Sequence, residues 1–402
     1  MDIVQRFLKY VAFESMSDEN SSSVPSTPNQ KILGAALAEE MREMGIADAY
    51  MDEYGYVYGT IPGTLEGPVV GLVAHMDTSP DITGANAKTR IVHYTGGDIV
   101  LNEDLNIVLS PKEFPTLAMY EGQDIIVTDG TTLLGADDKA GIAAILSAAE
   151  QIMADDKPHG TFKIAFTPDE EIGRGTDQFN IDGFGADYAY TVDGGTIGGL
   201  EYENFNAAAA TVTVHGKNIH PGSAKHKMKN SMLIATEFNS MLPTFEIPAY
   251  TEGYEGFAHL TDICGEVEKT TLSYILRDHD SDKLEARKAR FLANMQFLND
   301  KYGEGTVEVV LQDNYRNMKE MLLPHMHIVE KAKEAMLQAG ITPRIDPIRG
   351  GTDGARLSYM GLPCPNIFTG GENAHGRYEY LPIPSLQKCA EVIVNIIYGA
   401  AK

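Results

Sequence analysis

Residues 69–77 read VVGLVAHMD, a short apolar run followed directly by a histidine and an aspartate. Three further runs have the same form: FKIAF (162–166) before PDEE, YAYTV (188–192) before Asp193, and NIF (366–368) before TGGENAH. Short β-rich runs bounded by turn residues are typical of buried strands in an α/β sheet. We therefore predict a sheet with polar residues beyond the carboxyl ends of its strands, where open α/β sheets bind their ligands.

Helical patterns separate and flank these runs. Residues 141–153 (GIAAILSAAEQIM) place apolar side chains on one face, and residues 3–11 have the same spacing. Further helices are predicted at 325–339 and 384–399. The opening residues thus predict an amphipathic helix rather than a secretory signal.

The middle of the chain has a different order of elements. Strands are predicted at 208–215, 257–266, 270–277 and 306–311, and helices at 229–242 and 282–299. That order, βαββαβ, is the ferredoxin-like unit. We predict an α/β domain formed by residues 1–206 and 318–402, with a mixed sheet flanked by helices, and an inserted domain at 207–317.

Composition restricts the partners. The chain has 402 residues, of which 43% are apolar and 22% charged, as in ordinary globular proteins. Lys and Arg total 32 against 57 Asp and Glu, a formal net charge of −25. Such a surface repels phosphate backbones and anionic lipid, so neither nucleic acid nor a membrane is an expected partner. The three cysteines are widely spaced and form no CxxC motif, which disfavours a disulfide framework and a zinc site with thiolate ligands. This cysteine usage favours a cytoplasmic location.

Metal-compatible side chains follow several of the predicted strands. His75 and Asp77 share one face if the backbone stays extended, so the carboxylate can orient the imidazole. GADDKAG (135–141) has two adjacent aspartates in a turn, although capping a helix needs only one of them. PDEE (168–171) has three adjacent acids that repel one another unless solvent or a cation offsets them.

Each of these motifs alone has an ordinary structural explanation, but together they indicate a metal site. Asp193 and His375 add further oxygen and nitrogen donors. Two imidazoles with several carboxylates suit zinc, with cobalt or manganese as alternatives. The donors suffice for two metals if one carboxylate bridges them. The residues themselves do not decide between Asp137 and Asp138 as the bridge, or between Glu170 and Glu171 as ligand and base.

The motif series HMD (75–77), GADDKAG (135–141), PDEE (168–171), VDGG (192–195), HPG (220–222), GGTDGA (350–355) and HG (375–376) resembles the M20 metallopeptidase family. The resemblance covers essentially the whole chain, with the inserted domain as the family's lid. It implies a zinc-exopeptidase-like catalytic domain with two zinc ions, one held by His75 and Asp193, the other by Glu171 and His375, with Asp137 bridging. It further implies that Glu170 is the general base and acid, that Asp77 orients His75, and that a cis peptide follows Asp137.

The resemblance also implies substrate contacts. His220 would donate to the oxyanion and Arg277 would bind the substrate. GGTDGA, with Gly351 and Asp353, offers backbone N–H groups at a helix start for a carboxylate or carbonyl. The alternative for this motif is a Gly-rich turn capped by Asp353. In some relatives the lid histidine acts in a partner's site, so a homodimer through the lid is a further expectation.

The function that the resemblance implies is that of an aminopeptidase, which hydrolyses the N-terminal bond of tripeptides through metal-activated water and a glutamate base. The alternatives are another M20-type hydrolase (a dipeptidase, a carboxypeptidase or an N-acyl amino acid amidohydrolase) and a catalytically silent metal-binding protein.

Overall fold

A computed structural model describes residues 1–401, which form two compact units. The first unit consists of Met1–Tyr202, Glu320–Asp346 and the chain from Thr352 onward; the second consists of Glu203–Lys319 and Pro347–Gly351. The inserted domain predicted at 207–317 lies within the second unit. The short segment Pro347–Gly351, which falls within the range 318–402 predicted for the α/β domain, also belongs to the second unit.

The helices are, in chain order, α1 (Ile3–Val11), α2 (Asn29–Glu43), α3 (Ala136–Ala154), α4 (Ile181–Phe184), α5 (Ser231–Ser240), α6 (Ser281–Tyr302), α7 (Lys319–Leu322), α8 (Met326–Gln338), α9 (Asp353–Tyr359) and α10 (Ile383–Ala400). The strands are β1 (Tyr50–Met51), β2 (Val57–Ile61), β3 (Val70–His75), β4 (Arg90–Tyr94), β5 (Ile99–Asn102), β6 (Ile107–Leu109), β7 (Gln123–Val127), β8 (Phe162–Thr167), β9 (Tyr188–Gly194), β10 (Gly199–Glu201), β11 (Asn206–His215), β12 (Phe257–Gly265), β13 (Lys269–Asp278), β14 (Val307–Tyr315), β15 (Arg344–Ile345), β16 (Asn366–Phe368) and β17 (Tyr380–Pro382). Within residues 1–401, no helix is both long and apolar enough to cross a membrane.

The first unit is built on an eight-stranded sheet with the order β1-β2-β8-β3-β9-β16-β10-β15. The four predicted runs are β8, β3, β9 and β16, which are neighbours in parallel pairs, while β1, β2 and β10 add antiparallel pairs. All six residues of β3 are buried, as expected for a central strand covered on both faces. The predicted mixed α/β sheet is therefore confirmed, and the carboxyl ends of four adjacent strands meet along one edge.

Helix α3 lies at the centre of the packing in this unit. It contacts α1 and α10 as well as strands β3 and β9, and its buried residues surround the helix axis. A helix that is apolar on all sides must be covered on all sides. The first turn of α3 therefore has a fixed position beside the ends of the central strands.

A smaller region of the first unit has its own core. It contains the sheet β17-β7-β4 and the hairpin β5-β6, and its buried cluster includes Tyr120, Ile125 and Tyr380. Strand β17 pairs with β7 from Tyr380↔Val127 to Pro382↔Ile125. This region thus anchors the end of the 370–379 loop.

The second unit has one antiparallel sheet of order β12-β13-β11-β14, with the element sequence βαββαβ. Leu272, Tyr274 and Leu276 of β13 are buried at alternate positions. They share their core with residues of both helices, among them Phe238 of α5 and Phe291 of α6, so both helices cover the same face of the sheet. The ferredoxin-like topology predicted from the order of elements is confirmed.

Candidate metal centre and active site

The candidate site lies at the edge where the central strands of the first unit end. His75 is the last residue of β3, and Asp193 is the sixth of the seven residues of β9. Glu170 and Glu171 begin a short 3-10 helix just after β8, and Asp137 lies in the first turn of α3. The 370–379 loop that follows β16 carries His375.

The carboxylate of Asp137 lies between two imidazoles. Its Oδ1 is 2.9 Å from Nε2 of His75, and its Oδ2 is 3.2 Å from Nε2 of His375. Asp193 Oδ1 lies 3.4 Å from the same nitrogen of His75, and Glu171 Oε2 lies 2.9 Å from that of His375. The structure thus brings together two imidazole–carboxylate pairs that share Asp137.

Two sets of side chains in this site have donor atoms close enough together to bind a metal ion. Donor atoms of His75, Asp137 and Glu171 all lie within 4.8 Å of one another, as do those of His75, Glu170 and Asp193. Nitrogen and oxygen donors in such numbers are typical of zinc and of other divalent transition metals. The first unit therefore contains a candidate metal-binding site.

The electrostatics of these residues fit a cation. Burial, followed by the charge of Asp137, raises the pKa of Glu171 to about 7, and burial raises the pKa of Asp193 to about 7. The pKa of Glu170 lies well above its usual range because of burial and the nearby Asp193. Glu171 Oε1 is buried without a hydrogen-bond partner among the described residues. Crowded buried carboxylates repel one another, and a divalent cation would offset this repulsion.

The pKa values of the two imidazoles are raised as well, but here the neighbouring carboxylates are what raises them. Hydrogen bonds to Asp137 and Glu171 raise the pKa of His375 to about 11. Burial opposes protonation of His75, yet Asp193 and Asp137 still hold its pKa well above the usual range. Protons and metal ions would therefore compete for the same nitrogens.

The two adjacent aspartates of the 135–141 turn point to different partners. The peptide bond between Asp137 and Asp138 is cis, which confirms the expectation, and both residues have non-helical backbone angles. Asp138 is fully buried, and its carboxylate accepts from the N–H of Gly141 (3.2 Å) and from the backbone N–H of His75 (3.1 Å). Asp138 thus caps the regular part of α3 and holds the end of β3, while Asp137 faces the imidazoles.

Asp77 contacts both His75 and the glutamate turn. His75 Nδ1 lies 3.0 Å from the carbonyl oxygen of Asp77 and 3.4 Å from its Oδ1. The two carboxylate oxygens accept from the N–H groups of Glu170 (3.0 Å) and Glu171 (3.1 Å). Sequence analysis missed the second contact because the partners lie 93 and 94 residues away.

Asp169, between Pro168 and the two glutamates, points away from the imidazoles. It is fully buried and accepts from the N–H and Oγ of Ser26 and from Nε2 of Gln30. The backbone N–H of Asp169 in turn donates to Gln30 Oε1 at 3.0 Å. The Ser/Pro-rich segment before α2 therefore holds the glutamate turn, a contact that no local pattern indicates.

Asp353 and Gly351, predicted together as a substrate contact, belong to different units. Asp353 is buried and accepts from Oγ1 of Thr167 at 2.7 Å, and burial raises its pKa to about 6. Thr352, whose side chain accepts from the N–H of Gly354, caps α9, so the alternative that Asp353 is the cap is wrong. At Gly351 a Cβ atom would lie 2.9 Å from the ring of Tyr315, which explains why glycine is needed there.

His220 and Arg277 belong to the second unit. His220 is exposed, and its Nδ1 accepts from the N–H of Gly222 at 3.1 Å, so the neutral ring carries its proton on Nε2. Arg277 donates from Nη1 to the carbonyl of Arg349 at 2.9 Å, and its guanidinium carbon lies 5.9 Å from the ring centroid of Phe257. Among the described residues, Nε of Arg277 is buried without a hydrogen-bond partner.

Comparisons with known proteins identify the family of this chain. A model of peptidase family M20/M25/M40 matches residues 129–399. Peptidase T of Halothermothrix orenii is 56% identical over 399 residues, covering 98% of each chain. Peptidase T of Clostridium perfringens strain 13 is 58% identical over 397 residues, covering 98% of this chain and 97% of the relative.

Solved structures show the same fold. Aminopeptidase PepT from Bacillus cereus superposes with a TM-score of 0.79 at 24% identity, covering 100% of this chain and 98% of that one. A dinuclear metal binding peptidase of the M20 family, the YXEP protein of Bacillus subtilis, gives 0.66 at 14% identity, covering 98% and 96%. By its family match and its near-full-length relatives, this chain belongs to peptidase family M20/M25/M40 and is a hydrolase of peptide bonds.

Proposed function

We propose that this chain is a metal-dependent aminopeptidase that removes the N-terminal residue of tripeptides. The observation that carries the proposal is the Asp137 carboxylate shared between the imidazoles of His75 and His375, with Glu170 close by. The relatives named peptidase T, at 56–58% identity over nearly the whole chain, support the substrate class.

We propose two zinc ions as the cofactor, with cobalt or manganese as substitutes. One would be held by His75 and Asp193 and the other by Glu171 and His375, with Asp137 as the shared ligand. Two imidazoles with carboxylates are a donor set that zinc prefers. Within the described residues 1–401, Oε1 of Glu171 has no hydrogen-bond partner, and the pKa of Asp193 is raised; both observations support this arrangement, since both groups gain from a nearby cation.

Glu170 is the proposed general base and acid. Bound divalent ions would lower the pKa of a water molecule and polarise the scissile carbonyl. Glu170 takes the proton of the attacking water and returns it to the leaving amine. Its backbone N–H donates to Oδ1 of Asp77 at 3.0 Å, so the position of its backbone is defined.

The proposed substrate contacts are supported by the family resemblance and by the hydrogen bonding of His220 and Arg277. The Nε2–H of His220 is oriented by the contact of Nδ1 with Gly222 and suits donation to the developing oxyanion. Among residues 1–401, the buried Nε–H of Arg277 has no hydrogen-bond partner, and its guanidinium would bind a substrate carboxylate or carbonyl. Gly351 and Asp353 remain proposed substrate contacts, with Asp353 acting through its backbone.

We also infer a cytoplasmic protein whose partners are short peptides and not nucleic acid or membranes. The net charge of −25 and three cysteines without disulfides support this inference. A homodimer through the second unit is a further proposal, which sedimentation velocity would test.

Peptide hydrolysis distinguishes this function from its alternatives. Ala-Ala-Ala should be cleaved faster than Ala-Ala or tetra-alanine, and N-acetyl-Ala-Ala-Ala should resist, because an aminopeptidase requires a free amino group. Equal turnover of the blocked tripeptide would favour a carboxypeptidase or an acyl amidohydrolase. Preferred turnover of Ala-Ala would favour a dipeptidase, and no turnover with metal bound would favour a silent metal protein.

A further inference from the structure

A buried glutamate far along the chain holds the turn that carries Asp137. Glu379 is only 2% exposed. Its Oε2 accepts from the backbone N–H groups of Leu134 and Gly135, both at 2.7 Å, and its Oε1 accepts from the N–H of Asp137 at 3.1 Å. Both oxygens of this carboxylate therefore have backbone donors, and the third of these donors belongs to Asp137 itself.

The turn needs such a partner because its own residues do not supply one. Gly135 has no side chain that could accept from these N–H groups, and it adopts a left-handed conformation with φ 77°. Successive N–H groups in such a turn point in one direction and form a concave anion site. Unpaired buried N–H groups are costly, so the carboxylate of Glu379 stabilises this backbone conformation.

Glu379 also belongs to the loop that carries His375. The N–H of Glu379 donates to the carbonyl of Gly376 at 3.2 Å, and Tyr380 pairs with Glu372 through two backbone hydrogen bonds of 3.0 and 3.1 Å. These bonds close the loop at its base, on either side of His375. The side chain of Glu379 therefore connects the base of the 370–379 loop, which carries His375, to the turn that carries Asp137.

We propose that Glu379 is a positioning residue that sets the spacing between Asp137 and His375 and thereby the affinity and geometry of the metal centre. The proposal rests on the proposed role of these two residues as metal ligands. Glu379 does not ligate the metal itself, since both oxygens are used by the backbone. Residues of this kind commonly change metal affinity by about 10–100-fold when replaced.

Replacement by glutamine provides the first test. Glu379→Gln keeps the size of the side chain, but its amide has a single acceptor oxygen and directs N–H donors at the N–H groups of the turn. Glu379→Asp keeps both oxygens on a side chain one methylene shorter. We expect metal affinity to fall by roughly 10–100-fold in the glutamine variant and by less in the aspartate variant.

Glu372→Gln is the matched control. Glu372 is a buried glutamate of the same loop, but it accepts from the hydroxyl of Tyr120 rather than from the Asp137 turn. A loss caused by general weakening of the loop would appear in both variants. A loss caused by the contact with the Asp137 turn would appear in the Glu379 variants alone.

Two readouts are measured on the purified full-length protein: zinc affinity by competition with a chelating dye, and the visible spectrum of the cobalt-substituted enzyme, which reports ligand geometry. Weaker binding and a changed spectrum in Glu379→Gln, with partial recovery in Glu379→Asp and near-normal values in Glu372→Gln, would support the proposal. Normal affinity and spectrum in Glu379→Gln, or an equal loss in Glu372→Gln, would overturn it. If Glu379→Gln does not fold, the aspartate variant decides by the same two readouts. A wild-type protein that binds no metal would instead refute the proposed function.

Discussion

Two buried polar clusters, one in each unit, differ in how their atoms are paired. The second unit has a cluster of three buried asparagines, Asn204, Asn206 and Asn317. Asn206 Oδ1 accepts from the backbone N–H of Asn317 at 2.9 Å, and Asn317 Oδ1 accepts from the backbone N–H of Asn204 at 3.1 Å. Asn204 Oδ1 accepts from Met318 at 2.7 Å, and its amide donates to the carbonyls of Phe205 and Arg316. This asparagine cluster is neutral, and its side-chain oxygens and amides have partners.

The candidate metal-site cluster of the first unit is also buried, but its groups are ionisable and crowded. Glu170, Glu171 and Asp193 all have a raised pKa, mainly because of burial, and one oxygen of Glu171 has no hydrogen-bond partner among residues 1–401. A satisfied neutral cluster stabilises a fold. A cluster of like charges costs folding free energy and is retained at functional sites, where a cation or substrate offsets the cost. The contrast separates a structural polar core from a reactive one.

The largest effect should come from removing the proposed base of the metal-site cluster. Glu170→Gln should bind the same amount of zinc as the wild type but lose roughly 10²–10⁴-fold in kcat, because general acid–base catalysis contributes about that much. Metal content by elemental analysis and tripeptide turnover would be measured on the same sample. Unchanged turnover would remove Glu170 from the mechanism, and loss of zinc would make it a ligand.

Acid should weaken metal binding through the same cluster. Metal ligands must be deprotonated, and His375 has a pKa of about 11 while Glu171 and Asp193 have pKa values of about 7. Binding therefore releases protons, and affinity must fall as the pH falls. One displaced proton predicts a tenfold loss per pH unit, or about 100-fold from pH 8 to pH 6.

Zinc titrations of metal-stripped protein at pH 6, 7 and 8, in buffers of different ionisation enthalpy, would count the released protons. An affinity that does not change over this range would contradict the competition between protons and metal ions and leave the imidazoles without a role as ligands.

The asparagine cluster should affect stability and leave metal binding unchanged. Asn204→Ala removes the acceptor for Met318 and the donor to two carbonyls, so we expect the free energy of unfolding to fall by about 1–3 kcal/mol. Lys88→Ala, which breaks an exposed ion pair with Asp129, is the control and should cost at most about 1 kcal/mol. Chemical denaturation and zinc affinity would be compared for both variants. A large loss of zinc affinity in Asn204→Ala would remove the distinction between the two clusters.

Much of the fold could be predicted because its signals are local. The apolar runs at 69–74, 162–166, 188–192 and 366–368 became four adjacent strands, and the βαββαβ order of the middle region became the second unit. Periodicity of side chains along a few residues reflects burial on one or two faces, and it does not depend on distant parts of the chain.

The contacts that hold the candidate site were less predictable. Asp138 and the N–H of His75 are 63 residues apart, Ser26 and Asp169 are 143 apart, and Glu379 and Asp137 are 242 apart. No pattern of neighbouring residues distinguishes an acid that faces a metal from one that accepts backbone N–H groups. Asp137 and Asp138 are chemically identical, and so are Glu170 and Glu171.

The sequence by itself determined the fold class, the family and the set of residues from which a site could be built, because these depend on composition, local periodicity and motif spacing. The resemblance already implied Asp137 as the bridging residue, but only the tertiary structure decided that Asp138, Asp169 and Glu379 accept hydrogen bonds from backbone N–H groups. The physical reason is that a carboxylate takes its role from the donors and charges around it, and those are assembled only when distant segments pack together.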